Sequence, residues 1–191
     1  NRSVARMSQG RFLESLPDLE QALHIFSEAG RSLYYAETLV MINYVLVELG
    51  EYEKTEKVLL EALEIHRRAE PLPKLAEVLT QLAELYLNWP TQTYSFLALR
   101  YAREAEGVAK NFTIDCRCRA TITLAHAESD PHLSLAYANQ ALELDTQLNN
   151  LEAIVNSHHA RGLAFIDLGQ TEEAREAFTL ACQLAEEHGL M

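Results

Sequence analysis

Residues 36–67 read AETLVMINYVLVELGEYEKTEKVLLEALEIHR, and this stretch decides the fold because it contains two amphipathic helices joined by a tight turn. Gly50 interrupts the pattern, as a glycine does at the end of a helix. Apolar residues recur three or four places apart on either side, at Leu39, Ile42, Val45 and Leu46, then at Val58, Leu59, Ala62, Leu63 and Ile65. The spacing predicts one helix over 36–48 and a second over 51–67.

One alanine of the second helix recurs along the whole chain. It occurs at Ala22, Ala62, Ala105, Ala141 and Ala181, and an aliphatic residue follows three places later at Ile25, Ile65, Val108, Leu144 and Leu184. The gaps between the alanines are 40, 43, 36 and 40 residues. This period without a strand pattern is typical of solenoids, whose units bury apolar faces against their neighbours. We therefore expect an all-α fold, an α-solenoid of about ten helices in tandem antiparallel pairs.

Small residues accompany the alanines at fixed distances. Seven places earlier the chain has Ser15, Thr55, Ala98, Ser134 and Ala174. The equivalent crossing positions of the first helices hold Ser3, Asn43, Ala83, Ile122 and Gly162, of which Ile122 is too large for the pattern. Small side chains at both helix crossings resemble the tetratricopeptide repeat. The spacing near 40 is similar to the longer variety of that repeat, found in bacterial multidomain regulators. The resemblance implies a right-handed α-solenoid of helix pairs, whose first helices line a concave groove.

The repeats organise the chain as one domain. We expect a single tetratricopeptide-like domain over 1–191, with a truncated repeat at 1–30 and full repeats at 34–69, 74–110, 115–148 and 151–188. The sequence opens at Asn1 without methionine, in what reads as the second half of a helix that ends at Gly10. We therefore expect this domain to be a fragment of a longer protein.

Helix ends can be predicted where capping residues occur. Asp130 precedes a proline and is expected to cap a helix that starts there. Thr171 is expected to N-cap the last helix, and Ser15 to N-cap a helix that begins at Pro17. The gap of 43 residues indicates a longer turn around Trp89.

Composition excludes several classes of function. The chain has 191 residues, is 48% hydrophobic and carries a formal net charge of −12, which repels nucleic-acid phosphates and anionic lipids. Uncharged apolar stretches are far shorter than the roughly 20 residues of a membrane span. No phosphate-binding glycine loop or zinc-protease motif occurs, so we expect no cofactor and no catalytic residues. Three cysteines cannot form an even disulfide framework, which favours a cytoplasmic location.

Cys116, Cys118 and His126 suggest a zinc site because thiolates and imidazoles bind zinc. Residues two apart on a helix point about 200° away from each other, so the two thiolates cannot reach one ion. We therefore expect no metal. Cys118 lies at a core position and Cys182 follows the recurrent Ala181, so buried thiols are predicted at both.

The candidate binding site is the concave groove. The inward positions of the first helices are predicted to be Tyr44, Val47, Glu48, Thr80, Gln81, Glu84, Asn88, Arg119, Thr123, His126, Asn156, His159, Leu163 and Ile166. Apolar anchors mixed with polar groups suit a bound peptide or helix. Two alternatives remain open: the whole surface is an ordinary solvated face, or Arg119 pairs with a neighbouring acid instead of a ligand. His158 is expected to face the core and His159 the groove.

These features predict a non-catalytic protein-protein interaction module. Its partner is expected to be a protein, a peptide or a neighbouring domain of the same chain, with no direct nucleic-acid or membrane contact. Such a module would serve as the sensor or scaffold part of a bacterial regulator. The alternative is a structural module that forms a homodimer or larger homo-oligomer through its end helices. A monomer at high concentration would count against that alternative.

Overall fold

The computed structural model describes residues 12–69, 73–90 and 94–190, and within these ranges it contains nine α-helices and no strand. The helices are α1 (Phe12–Glu28), α2 (Ser32–Glu48), α3 (Tyr52–Arg68), α4 (Pro73–Leu87), α5 (Ser95–Ala109), α6 (Ile114–Ala127), α7 (Pro131–Leu148), α8 (Leu151–Asp167) and α9 (Thr171–His188). None of these helices is long and apolar enough to cross a membrane.

Each helix packs against the next one along the chain. Two pairs of alternate helices are also in contact, namely α4 with α6 and α6 with α8. This arrangement is an all-α repeat solenoid, as the period of the sequence predicts. The four first helices of the pairs are α2, α4, α6 and α8. We call the surface that they form together the inner surface.

The recurrent alanines explain how the paired helices approach closely. Ala62, Ala105 and Ala141 are completely buried, and Ala181 is nearly so. The small residues seven places earlier behave in the same way, since Ser15, Thr55 and Ala98 are also completely buried. A larger side chain at these positions would hold the helices apart, because protein interiors are close-packed. Ala22 and Ser134 are only half-buried. The register read from the sequence therefore matches the helix packing at most of these positions, but not at all of them.

The main hydrophobic core extends from Ala36 in α2 to Leu124 in α6. A separate cluster joins α1 to α2, where Leu19 packs with Ile42, Val45 and Leu46. Burial of each such aliphatic side chain stabilises the folded state by about 1.5–3 kcal/mol relative to leaving that side chain exposed.

The helix ends agree only in part with the sequence. Asp130 caps α7, and its side chain accepts hydrogen bonds from the backbone N–H groups of His132 and Leu133, as predicted. The cap predicted at Thr171 is wrong, because Gln170 occupies the N-cap position and Thr171 is the first helical residue. The long turn around Trp89 is confirmed by the separation between the end of α4 and the start of α5.

The predicted start at Pro17 is also wrong. Helix α1 begins at Phe12 and continues through Pro17, so Ser15 is not an N-cap. The Ser15 hydroxyl instead donates to the Phe12 carbonyl over 2.6 Å. Phe12 and Leu16 pack on the α1–α2 cluster, and this burial offsets the cost of a proline within a helix. The predicted helix end at Gly10 and the crossing residue Ser3 lie outside the described residues.

Candidate functional site

The largest cavity on the inner surface lies between α4, α6 and α8. A cavity of about 620 Å³ opens there, which is within the size range of peptide and ligand sites. We call it the inner cavity. Eight of the residues predicted from the sequence line it: Glu84, Asn88, Thr123, His126, Asn156, His159, Leu163 and Ile166. The structure thus gathers residues from three repeats around one space.

Other lining residues were missed by the sequence analysis. They include Leu87, Ile122, Ala125, Glu128, Ser134, Ala160, Ala164 and Asp167. Three of them, Leu87, Glu128 and Asp167, lie at the C-terminal ends of α4, α6 and α8. The predicted inward positions follow the repeat register, which does not show where each helix ends. Aligned helix ends were the signal that could have found these residues.

The upstream part of the inner surface is held together by hydrogen bonds between α2 and α4. The Gln81 side-chain amide donates to the Tyr44 hydroxyl over 2.6 Å, and that hydroxyl donates to Glu77 Oε1 over 3.5 Å. Lys74 pairs with the same Glu77 carboxylate at 2.7 Å. Tyr44 and Gln81 line neither the inner cavity nor the smaller one described next. These two residues instead fix how two repeats meet.

A smaller cavity of about 130 Å³ lies beside this network, and Thr80 and Arg119 are among its lining residues. Thr80 is buried, and its hydroxyl donates to the Ala76 carbonyl over 2.8 Å. It therefore offers a ligand little of its surface. Val47 and Glu48 are exposed on α2 and line neither cavity.

Arg119 pairs with the acidic residue Glu84. The sequence left this pairing open as the alternative to contact between Arg119 and a ligand. Its guanidinium lies 3.9 Å from Glu84 Oε2. The buried Thr123 donates its hydroxyl to Glu84 Oε1 over 3.2 Å. Burial raises the pKa of Glu84, and Arg119 and Thr123 offset that effect only in part. The charged form of Glu84, which lines the inner cavity, is therefore only partly compensated by its neighbours.

Histidines lie on two walls of the inner cavity. His126 comes from α6 and His159 from α8, where the ring of His159 also lies 5.6 Å from that of Phe178. Loss of solvent lowers the pKa of His126, and the neighbouring His159 lowers it further. His158 is half-buried, away from the inner cavity, and its Nδ1 lies 3.3 Å from Arg161 Nη1. The two adjacent histidines thus point in different directions, as predicted.

The three cysteines are separate and free. Cys118 is buried, and burial raises the pKa of its thiol to about 12. The predicted burial of Cys182 is wrong, because this thiol is exposed on α9. The turn after Ala181 places it on the outer side of the last described helix. Among the described residues, no group of three or more His, Cys, Asp or Glu side chains could hold a metal ion.

Comparison with known proteins identifies the repeats. Residues 155–188 match the family model described as tetratricopeptide repeat, and this range covers most of α8 and all of α9. No curated protein sequence matches the chain. The resemblance drawn from small residues at helix crossings is thereby confirmed for the last repeat by sequence.

Solved structures extend the likeness to the whole chain. A putative kinesin light chain from Podosopora anserina, with nearly identical TPR-like repeats, has a TM-score of 0.74 at 17% identity; the match covers 97% of this chain and 92% of that one. A Rap protein complexed with competence and sporulation factor has a TM-score of 0.66 at 19% identity, over 98% of this chain and 62% of that one.

A third structure is YrrB, a TPR protein with an unusual peptide-binding site. Its TM-score is 0.58 at 19% identity, and the match covers 98% of this chain and 85% of that one. At these identities the likenesses show the fold alone. The chain is therefore built as a tetratricopeptide-like solenoid throughout its described length.

Proposed function

We propose that this tetratricopeptide-like solenoid is a non-catalytic protein-interaction module, and that its inner cavity binds a peptide, a helix or a neighbouring domain of the same chain. The observation that carries the proposal is the convergence of eight predicted residues on one cavity of about 620 Å³. These residues come from three successive repeats, so only the packed solenoid brings them together.

The chemistry of the inner cavity supports a peptide. The side-chain amides of Asn88 and Asn156 supply hydrogen-bond donors and acceptors. A peptide backbone can pair with both, because it carries N–H donors and C=O acceptors. Leu163 is 41% exposed and Ile166 is 56% exposed, so both offer apolar surface to a side chain. Polar groups that set the register beside apolar contacts are the usual features of a peptide groove.

Two of the similar proteins are consistent with this use of the fold. The YrrB structure has a peptide-binding site, and the Rap protein is in complex with competence and sporulation factor. We propose by extension that this chain serves as the sensor or scaffold part of a cytoplasmic bacterial regulator. The domain over 1–191 would then couple recognition of its partner to an output elsewhere in a longer protein.

Selection from a random peptide library displayed on phage tests the proposal. Peptides selected on the immobilised chain are measured against Asn156→Ala and His159→Ala, which remove polar groups from the inner cavity. We expect each variant to weaken binding by about tenfold, since a lost hydrogen bond in a desolvated site costs about 1–3 kcal/mol.

The matched control is Glu64→Ala, an exposed residue of α3 outside the inner surface. This variant is expected to bind selected peptides as the unchanged chain does. If the Glu64 variant loses binding and the two cavity variants keep it, the partner site lies on the outer helices and the proposal is wrong.

Self-association through an end helix is the second candidate, favoured by the surface of α9. Among the described helices, α9 packs extensively against α8 alone, and Leu180 on its outer side is 45% exposed. Light scattering at increasing concentration separates the two candidates. A dimer that Leu180→Glu abolishes would support self-association, and a monomer at every concentration would exclude it.

A further inference from the structure

The inner cavity lies at the C-terminal ends of three helices. Leu87 is the last residue of α4, Glu128 is the C-cap of α6, and Asp167 is the last residue of α8; all three line the inner cavity. A helix C-terminus carries a partial negative charge of up to about half an electron. Some of the last carbonyl groups are paired here, because those of Phe165 and Ile166 in α8 accept from the backbone N–H groups of Gln170 and Gly169, and that of Ala125 in α6 accepts from the Ser134 hydroxyl. The three helix ends therefore add a negative contribution to the inner cavity that these hydrogen bonds reduce.

The helices carry little charge that would balance these ends. The last turns of α4 and α8 contain no basic residue, and that of α6 contains only His126. Partial loss of solvent and the nearby His159 lower the pKa of His126, which disfavours its charged form. None of these three last turns contains a lysine or an arginine.

The side chains add negative charge to the same place. Glu84, Glu128 and Asp167 line the inner cavity, whereas no lysine or arginine does. Glu128 is already neutralised, because its carboxylate lies 2.8 Å from Arg103 and is only 3% exposed. Glu84 has Arg119 at 3.9 Å and the Thr123 hydroxyl at 3.2 Å, whereas no ion pair of Asp167 occurs among the described residues. Asp167 therefore remains for a ligand, and Glu84 is only partly compensated by its neighbours.

Another part of the lining is apolar. Ile122 from α6 and Leu163 and Ile166 from α8 form an aliphatic wall beside the carboxylates. A metal ion does not bind to aliphatic side chains, and among the described residues the carboxylates do not form a group that could hold one. A side chain that combines a cation with aliphatic carbons matches both surfaces.

We propose that the inner cavity takes a peptide segment in which a lysine or arginine is followed by an aliphatic residue. The cation pairs with the carboxylates of Asp167 and Glu84, which line the same cavity, and the aliphatic side chain contacts Leu163. This inference rests on the proposed function, because it names the chemistry of the peptide that the inner surface binds.

Three fluorescein-labelled peptide libraries of equal length test the inference. Their central pair is fixed as Lys-Leu, norleucine-Leu or Glu-Leu, and all flanking positions are random. Binding is measured by fluorescence anisotropy. The Lys-Leu library is expected to bind about tenfold more tightly than the norleucine-Leu library, a ratio that corresponds to about 1.4 kcal/mol. The Glu-Leu library is expected to bind most weakly.

Variants of the chain then locate the cation. Glu84→Gln and Asp167→Asn remove the two charges with little change of shape, and each is expected to reduce the preference for Lys-Leu. The matched control Glu53→Gln removes an exposed charge from α3, outside the cavity, and is expected to leave the preference unchanged. Circular dichroism checks the fold, and Asp167 is exposed at a helix end, where a neutral residue does not strain the helix.

The outcomes separate this inference from the proposed function. If the norleucine-Leu or Glu-Leu library binds as tightly as the Lys-Leu library, the cationic ligand is wrong while groove binding stands. If the preference survives both Glu84→Gln and Asp167→Asn, the cation binds elsewhere and the inference is also wrong. If no library binds, both the inference and the peptide-binding function are contradicted.

Discussion

At the residue scale, the closest approach of two helices is marked by Gly162 in α8. A β-carbon built at this position would lie 2.6 Å from the ring of Phe178 in α9. Real carbon atoms do not approach so closely, so the missing side chain is what allows the Phe178 ring to pack there. The other described helix-interior glycine, Gly107 in α5, has nothing within 4 Å of the equivalent point.

These two glycines predict opposite effects of the same substitution. Gly162→Ala is expected to lower the free energy of unfolding by about 1–3 kcal/mol, because the new methyl group overpacks the α8–α9 contact. Gly107→Ala is expected to raise it by about 0.5–1 kcal/mol, because alanine favours the helix and meets no obstacle. Urea denaturation measures both. Equal stabilisation by the two substitutions would show that Phe178 does not pack as described.

A buried histidine makes the stability of the fold depend on pH. His66 is 1% exposed, and neither of its ring nitrogens has a hydrogen-bond partner. Burial lowers its pKa, and Lys74 adds to that effect while Glu37 and Glu77 oppose it. The folded chain therefore holds His66 neutral, whereas the unfolded chain binds a proton below about pH 6.5. Stability is lost as the pH falls through this range.

His66→Leu tests this origin of the pH dependence. The variant is expected to be at least as stable as the unchanged chain near pH 7, because leucine leaves no unpaired ring nitrogen. Its loss of stability between about pH 7 and pH 5 should be smaller, with the remainder due to His126 and His158. Denaturation curves at both pH values measure it. The exposed His132→Gln is the control, and an unchanged slope in the leucine variant contradicts the assignment.

At the element scale, the sequence predicted helix identity well and helix ends unevenly. The cap at Asp130 was predictable because its geometry depends only on neighbouring residues. The start of α1 was not, because continuation through Pro17 depends on contacts between Phe12 and the distant residues of α2. Local rules therefore fail where packing between elements outweighs backbone preference.

The recurrent alanines also belong to this scale, because they set the spacing between paired helices. Ala62→Arg is expected to destabilise the chain by about 3 kcal/mol or more, since a bulky charge at a buried crossing has neither room nor a partner. Ala141→Arg should do the same in the fourth repeat. The control is Leu60→Arg, at an exposed position of the same helix as Ala62, and it is expected to fold normally.

Thermal unfolding followed by circular dichroism measures these variants. If Ala62→Arg and Leu60→Arg both unfold at the same temperature as the unchanged chain, Ala62 does not lie at a helix crossing. The repeat register would then be wrong for that pair of helices.

At the scale of the whole molecule, the sequence predicted which helices form the inner surface but not its electrostatics. The repeat register predicted Asn156 and His159 on one surface because every repeat presents equivalent positions to the same side, and both line the inner cavity. It did not reveal that Leu87 and Asp167 would meet in one cavity, because that depends on how far each helix extends. Nor did the register show that Tyr44 and Gln81 bond to each other.

The central claim is that the inner cavity between α4, α6 and α8 binds a peptide. Amide chemical-shift mapping by NMR, with a peptide selected from the display library, tests it most directly. The predicted result is a set of large shifts at cavity residues such as Asn88, Asn156 and His159, with small shifts on α3 and α5. Large shifts confined to those outer helices, or to the exposed side of α9, would contradict it.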